Sequence, residues 1–451
     1  MSLTFVQKSD VNVRKPNAKK ALVLAGGAVS GGAYKLGGLK ALNDYMVNFK
    51  MTDFDMHVGL SAGALLSAAI ANGVAPEEML KSLNGTSESF SQLKPWDFYW
   101  PNVRELAGRP LRFVGEVATF SPVATLVLMA SKTEARNKLK DLGQEFLARP
   151  TYHSGEAFVS MLLALISEHV EIPNPARALM PSGFFDNSRL ETYLRENIER
   201  VKGHNRFEPL HRQAGKDLYI SATNLDTAER AVFGWNELSE PLISQAVQAS
   251  TAIPGFYQPV RIGGEDYIDG GVRKTANIDI AIEKGAELII VYNPFRPLVS
   301  SEDPKTWGSR RTRRRLVDEG IGSIINQVFR TLLHTRLILG MDRYASDPNF
   351  RGDIILIEPE AGDEQFFEMN PLAFWRRGEA AKHGFESVIT SVQGQFDRMR
   401  SILRSYGIEM SQHYVRSELQ KLKLTHANQS EVFDILEERS PLHGLRLATG
   451  G

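Results

Sequence analysis

The hydrophobic pattern opens with a continuous run. Lys20-Ala21-Leu22-Val23-Leu24-Ala25 does not alternate, as expected of a strand buried on both faces, and it ends in a glycine-rich turn, Gly26-Gly27-Ala28-Val29-Ser30-Gly31-Gly32. The period then changes. Leu36, Leu39, Leu42 and Met46 recur near every 3.6 residues, which predicts a helix. A second extended run, Phe54-Asp55-Met56-His57-Val58, leads into Gly59-Leu60-Ser61-Ala62-Gly63. An Ala/Leu-rich helical run, Ala64 to Ala71, follows and is closed by Asn72-Gly73. Strand, helix, strand in this order is a βαβ unit with a right-handed crossover. Both loops that follow its strands open at the same carboxyl edge of a sheet, so the turns at Gly26 and Ser61 are predicted neighbours although about 35 residues apart.

From about residue 86 to 180 this rhythm breaks. Trp96, Phe98, Tyr99 and Trp100 are followed by helical patterns at Val114–Lys140 and Gly155–Val170, which read as a helical insertion. Strand patterns resume at Leu218–Thr223 and Ala231–Phe233. A helix near Leu242–Ala249 precedes short strands at Val260–Ile262 and Asp266–Ile268, then Asp269-Gly270-Gly271. A helix near Ile278–Lys284, an apolar strand at Glu287–Tyr292 and a linker from Pro297 to Ser309 come next. A long helix is predicted over Leu316–Tyr344, a strand at Asp353–Ile357 and mostly helix over Leu372–Ser405. The expected organisation is an N-terminal tail (1–18), a main domain (19–295), a linker, long helix and late strand and helix packed on it (296–405), and a short helical tail (406–451).

Composition narrows the chemistry. The chain has 451 residues, 42% hydrophobic and 24% charged, with 53 basic against 53 acidic side chains. That balance offers no global field for nucleic acid. Cysteine is absent, which excludes disulfides, Cys-zinc sites and a thiol nucleophile. Met1 to Lys20 is polar and basic and lacks the apolar core of a secretion signal. The longest apolar stretches, Ala157–Ile166 and Val123–Ala130, are too short to span a bilayer. A cytoplasmic residence is expected. Contact with a membrane surface stays open, as does export without a cleavable signal.

Gly59-x-Ser61-x-Gly63, set between strand and helix, has the context of a nucleophile elbow. An ordinary turn that holds a serine is the bland alternative. Acyl transfer from a serine needs donors for the oxyanion and a base for the hydroxyl proton. Gly26, Gly27 and Ala28 form a turn that can expose successive N–H groups. A phosphate loop is a poorer reading, because neither Gly-x-Gly-x-x-Gly nor Gly-Lys-Ser/Thr is present. His57 precedes Ser61 by four strand residues, about 13 Å, too far to take its proton. His334, His383, His413, His426 and His443 lie in no constrained loop. Asp269, followed by Gly270 and Gly271, ends a short strand and could serve as base if desolvation raised its pKa, although Asp-Gly-Gly is often a plain turn.

Taken together, the glycine turn, the Ser61 pentapeptide, Asp269-Gly270-Gly271 and the preceding Ala249-Ser250-Thr251-Ala252-Ile253-Pro254-Gly255-Phe256 resemble the patatin-like phospholipases over about residues 19 to 295. The resemblance implies a three-layer α/β fold, a modified α/β-hydrolase with a mainly parallel central sheet, here with a helical insertion and a helical C-terminal extension. It implies a serine–aspartate dyad without histidine: Ser61 as nucleophile, Asp269 as base, and Gly26, Gly27 and Ala28 as the oxyanion loop. Neither metal nor organic cofactor is implied. The implied activity is hydrolysis of lipid carboxylic esters, of phospholipase A or lysophospholipase type, through an acyl-enzyme. An acyltransferase, or a weakly catalytic lipid-binding protein on the same scaffold, are the alternatives.

Three positions depart from the family pattern. Ala28 stands where a third glycine is usual, Ser30 where a basic residue is usual, and Ile278 follows Asn277 where proline is common. Lys35 could replace the missing charge only by folding back toward the turn. The aromatic cluster at 96–100 could anchor at an interface, cover an acyl-chain cleft or pack into the core. Arg310, Arg311, Arg313, Arg314 and Arg315 could meet anionic lipid or form a solvated linker.

Overall fold

The computed structural model describes residues 2–112, 127, 129–167, 179–299, 316–424 and 429–440. The Arg310–Arg315 run, His426 and His443 lie outside them. The chain divides into two compact units, one of Met1–Trp100 with Asp186–Gly451, the other Pro101–Phe185.

The larger unit is built on a nine-stranded sheet. Its strands are β1 (Leu3–Gln7), β2 (Lys20–Leu24), β3 (Met56–Leu60), β4 (Asp217–Asn224), β5 (Arg230–Phe233), β6 (Val260–Ile262), β7 (Glu265–Asp269), β8 (Leu288–Tyr292) and β9 (Asp353–Ile357). They run in the order β1-β9-β8-β2-β3-β4-β7-β6, with β5 also paired to β4. From β9 to β4 every pairing is parallel. Antiparallel strands flank this centre: β1 on β9, and β5 and β7 on β4.

The unbroken apolar runs follow from burial on both faces. In β2, Leu22 and Leu24 enter one core while Ala21 and Val23 enter the other; in β8, Leu288, Ile290 and Tyr292 oppose Ile289 and Val291 in the same way. Because side chains alternate along a strand, a two-sided core requires apolar residues at every position. On one face lie α1 (Ala28–Tyr45), α2 (Ala62–Ala71) and, after α3 (Ile243–Ser250) and α4 (Ile321–Ser346), α5 (Arg377–Gln393). The other face receives Ile278, Ile280 and Ala281, with Leu337 and Met341 of α4. The result is three layers.

The stretch expected to be an N-terminal tail instead contributes β1. Leu3 and Val6 are buried, and five residues pair with β9. The polar residues from Lys8 onward hid so short a strand. The C-terminal helices are not peripheral either: Val415, Leu422, Val432, Phe433 and Leu436 all enter the core that holds α1 and α5. The aromatic cluster divides. Phe98 is buried and the Tyr99 hydroxyl donates to the Leu372 carbonyl, whereas Trp96 and Trp100 are exposed and meet edge to face.

The smaller unit contains helices Thr133–Ala148 and Tyr152–Ser167, and the rings of Phe146 and Phe158 lie parallel, 6.5 Å apart, between them.

Candidate active site

Ser61 is the single residue between β3 and α2, with φ 53° and ψ −129°. A side chain is costly in this region and persists only where the surroundings over-determine it. The bend falls on the serine itself; neither Gly59 nor Gly63 has a positive φ. The glycines serve close packing. A Cβ on Gly63 would lie 2.2 Å from the Leu24 carbonyl oxygen, and one on Gly59 would lie 2.5 Å from Ala64 Cα. The Ser61 N–H donates to Ser250 Oγ at 2.8 Å, and its carbonyl accepts from Ala64 N at 2.8 Å.

The glycine turn lies beside it, as the topology required. A Cβ on Gly26 would sit 3.3 Å from Ser61 Cβ. The Ser30 N–H donates to the Pro371 carbonyl at 3.0 Å and that of Gly31 to Gly27 at 3.0 Å. Those of Gly26, Gly27 and Ala28 have no acceptor among the described residues. Ala28 has φ 51°, in the left-handed region, which explains the usual glycine there: a Cβ in this conformation is strained. Its N–H remains available. Lys35 does fold back. It is wholly buried, and its ammonium donates to the carbonyls of Ala25 and Gly26.

Register brings Asp269 to the same edge. Consecutive residues of β4, Ser221 and Ala222, pair with Leu60 and Asp269 respectively. The Asp269 N–H donates to the Ala252 carbonyl at 2.9 Å, and its Oδ1 accepts from Gly271 N at 2.8 Å. The Gly270 position leaves no space for a side chain, since a Cβ there would lie 2.6 Å from both Leu60 Cδ1 and the Ser221 carbonyl oxygen. Burial raises the Asp269 pKa to about 6. Three favourable groups oppose the rise: the Ser61 hydroxyl, the Gly271 N–H and the charge of Lys35.

The described histidines among the sequence candidates have other partners. His57 is wholly buried on β3, 3.4 Å from the Met51 carbonyl, and burial pushes its pKa down to about 3. His334 meets Glu358 at 3.3 Å and His383 meets Asp363 at 2.8 Å. His413 begins a C-terminal helix. None contributes to the field at Asp269. No cluster of metal-ligating side chains occurs among the described residues.

Ser61 and Ala28 stand in the wall of a cavity of about 70 Å³. Leu65, Leu66, Leu83, Leu93, Phe98 and Leu190 make it almost entirely apolar, and Arg377 is its charged lining residue. Sequence reading missed these leucines, which come from four separate segments, and it assigned no role to Ser250. The motif stretch around Ser250 was visible, but a bond to a residue 189 positions away leaves no local periodicity.

A family model described as patatin-like phospholipase matches residues 22–282, more than half of the chain. The chain belongs to the patatin-like phospholipase family, and the expected three-layer, mainly parallel α/β fold is its fold. The probable lipid hydrolase 463L of Invertebrate iridescent virus 6 is 27% identical over 143 residues, 31% of this chain and 49% of the relative. The chain thus spans about half the length of that curated relative. Among solved structures, VipD from Legionella pneumophila overlaps with a TM-score of 0.36 at 16% identity, covering 87% of this chain and 70% of VipD. Human GIVD cytosolic phospholipase A2 overlaps with a TM-score of 0.26 at 11% identity, covering 88% and 61%. The assignment to the family rests on the family model, not on these low structural scores.

Proposed function

We propose that this protein hydrolyses carboxylic esters of lipids, of phospholipase A or lysophospholipase type, with Ser61 as nucleophile and Asp269 as its base. One observation carries the reading: strand register brings Ser61, in the wall of an apolar cavity, and the buried Asp269 carboxyl to one edge of the sheet, where the Ser61 hydroxyl favours the ionised form of a carboxyl whose pKa burial raises. With a pKa of about 6, Asp269 is mostly ionised at neutral pH yet more basic than a free carboxylate. It takes the proton as Ser61 Oγ bonds to the ester carbonyl carbon. The N–H groups of Gly26, Gly27 and Ala28 receive the oxyanion. Asp269 returns the proton to the departing alcohol, and the acyl group stays on Ser61. Water then attacks the acyl carbon and gives a proton to Asp269; the bond from that carbon to Ser61 Oγ breaks, Asp269 passes the proton to Oγ, and the acid leaves.

The apolar lining of the cavity suits the first few carbons of an acyl chain beside the ester, and Arg377 at its lining suits an anionic headgroup. Contact with a lipid surface belongs to the same reading, since Trp96 is 59% exposed and indole rings favour the interfacial zone. No helix of the described residues is long and apolar enough to cross a membrane.

The test is hydrolysis of phospholipids, lysophospholipids and neutral glycerides by wild type, Ser61→Ala and Asp269→Asn, with fluorophosphonate labelling of Ser61. Loss of turnover in both variants and a Ser61 adduct in the wild type are expected. Retained turnover in Ser61→Ala would sink the assignment. Product analysis with an added acceptor alcohol separates hydrolysis from acyl transfer.

A further inference from the structure

We propose that Lys35 is a positioning residue for this reaction: from beneath the oxyanion loop, its ammonium orients the Gly26 and Gly27 peptides and holds Asp269 in its charged form. The proposal rests on the reading of Ser61 and Asp269 given above.

Among the described residues two lysines have no solvent exposure, Lys35 and Lys40. Lys40 is an ordinary case, because its ammonium contacts the carboxylates of Asp44 and Glu418. Lys35 has no carboxylate within ion-pair distance among the described residues; its acceptors there are the carbonyls of Ala25 and Gly26. A buried ammonium held only by carbonyls is expensive. Methionine would fill a similar volume without that cost, so the charge needs a reason.

Peptide geometry supplies one. In a trans peptide the C=O of one residue and the N–H of the next point in opposite directions. With the Ala25 and Gly26 carbonyls turned toward Lys35, the N–H groups of Gly26 and Gly27 must point away from it. Those are the first two proposed oxyanion donors, and neither has an acceptor among the described residues. A charge-assisted bond at the carbonyl end also polarises the peptide and strengthens donation at the other end. The family's basic residue is missing at position 30, and Ser30 is itself buried with its N–H committed to Pro371. A cation placed within the helix, and not in the loop, takes up that task.

The second contribution is electrostatic. Besides burial, Asp269 is the group whose charge acts on Lys35; Lys35 is the charged group that acts on Asp269. The remaining influences on Asp269 are the Ser61 hydroxyl and the Gly271 N–H. Burial draws the Lys35 pKa down to about 7, against the pull of Asp269. The positive charge therefore titrates in the range where the proposed reaction runs.

The experiment compares kcat, KM and the pH profile of kcat/KM for wild type, Lys35→Met and Lys35→Arg on a soluble ester, with Ser61→Ala as background. Lys35→Met is expected to lose about ten- to 100-fold in kcat with little change in KM, less than the roughly 100- to 1000-fold lost when an oxyanion donor itself is removed. Its acidic limb should move to higher pH, because Asp269 has lost a neighbouring cation. Lys35→Arg, if it folds, should keep that limb near the wild-type position. The wild type itself should show an alkaline limb far below the ordinary lysine pKa, absent from Lys35→Met. If Lys35→Met does not fold, the wild-type alkaline limb decides: a flat profile from pH 7 to 10 overturns the proposal. Wild-type kinetics and an unchanged profile in folded Lys35→Met also overturn it. If Ser61→Ala or Asp269→Asn is fully active, it is the underlying assignment that fails.

Discussion

Ser250 Oγ accepts a hydrogen bond from the backbone N–H of Ser61 at 2.8 Å. Both residues are buried, and Ser61 holds a left-handed backbone that a side chain resists. Two residues on, the Ala252 carbonyl accepts from the N–H of Asp269. One short segment, the end of α3 and its extension, therefore grips both halves of the proposed dyad by their backbones.

Removing that grip should be measurable. Ser250→Ala leaves a buried N–H without an acceptor, a cost of about 1–3 kcal/mol. We expect a lower melting midpoint and slower fluorophosphonate labelling of Ser61. A variant that melts and labels like wild type would show that the contact does not hold the turn.

The pH dependence has a definite sign. Under the proposed mechanism Asp269 must be ionised, and its pKa is about 6. Esterase kcat/KM should rise with pH through about 6 and fall about tenfold per unit below it. Stability runs the opposite way. A carboxyl whose folded pKa is raised favours the native state fully below its unfolded pKa of about 3.9, and that contribution is lost as pH rises through about 6. Asp269→Asn should therefore abolish turnover yet stabilise the fold at pH 7 by up to about 3 kcal/mol. Paired melting and activity curves at pH 4 and pH 7 check both signs.

Ala28→Gly is expected to stabilise the protein. The alanine sits at φ 51°. Relief of that strain, about 1–2 kcal/mol, outweighs the extra chain entropy of glycine, about 0.4–1 kcal/mol. The N–H is kept, so turnover should persist. Ala28→Val should do the reverse, and equal melting midpoints for all three proteins would contradict the strain argument.

Gly63→Ala tests the packing of the Ser61 turn. The added methyl would meet the Leu24 carbonyl oxygen at 2.2 Å, a backbone atom that cannot swing aside. β2 and α2 must separate, which costs about 1–3 kcal/mol or more. Low soluble yield and loss of labelling are expected; a fully labelled, stable variant would mean that the turn is looser than described.

Much of this is legible in the amino-acid pattern alone. The βαβ pattern from Lys20 to Ala71, combined with the handedness and edge rules of parallel sheets, placed Gly26 beside Ser61. The same pattern did not disclose β1, because five residues beside a basic stretch show too little periodicity. Nor did it separate Phe98, inside, from Trp96, outside, since all four aromatics look alike to a hydropathy pattern. The bend on Ser61 itself was also hidden, as a one-letter code records no backbone angle.

The sequence by itself determined the elements, their order and the residue types available for ester chemistry, because strand and helix periodicities and glycine turns are local properties of neighbouring side chains. The tertiary structure alone decided that Ser221 and Ala222 of one strand align Leu60 with Asp269, that Ser250 holds Ser61, and that Lys35 reaches back under Gly26. Each of those is set by register and by burial between distant segments, where the energy depends on which groups meet away from water and not on which groups are adjacent along the chain.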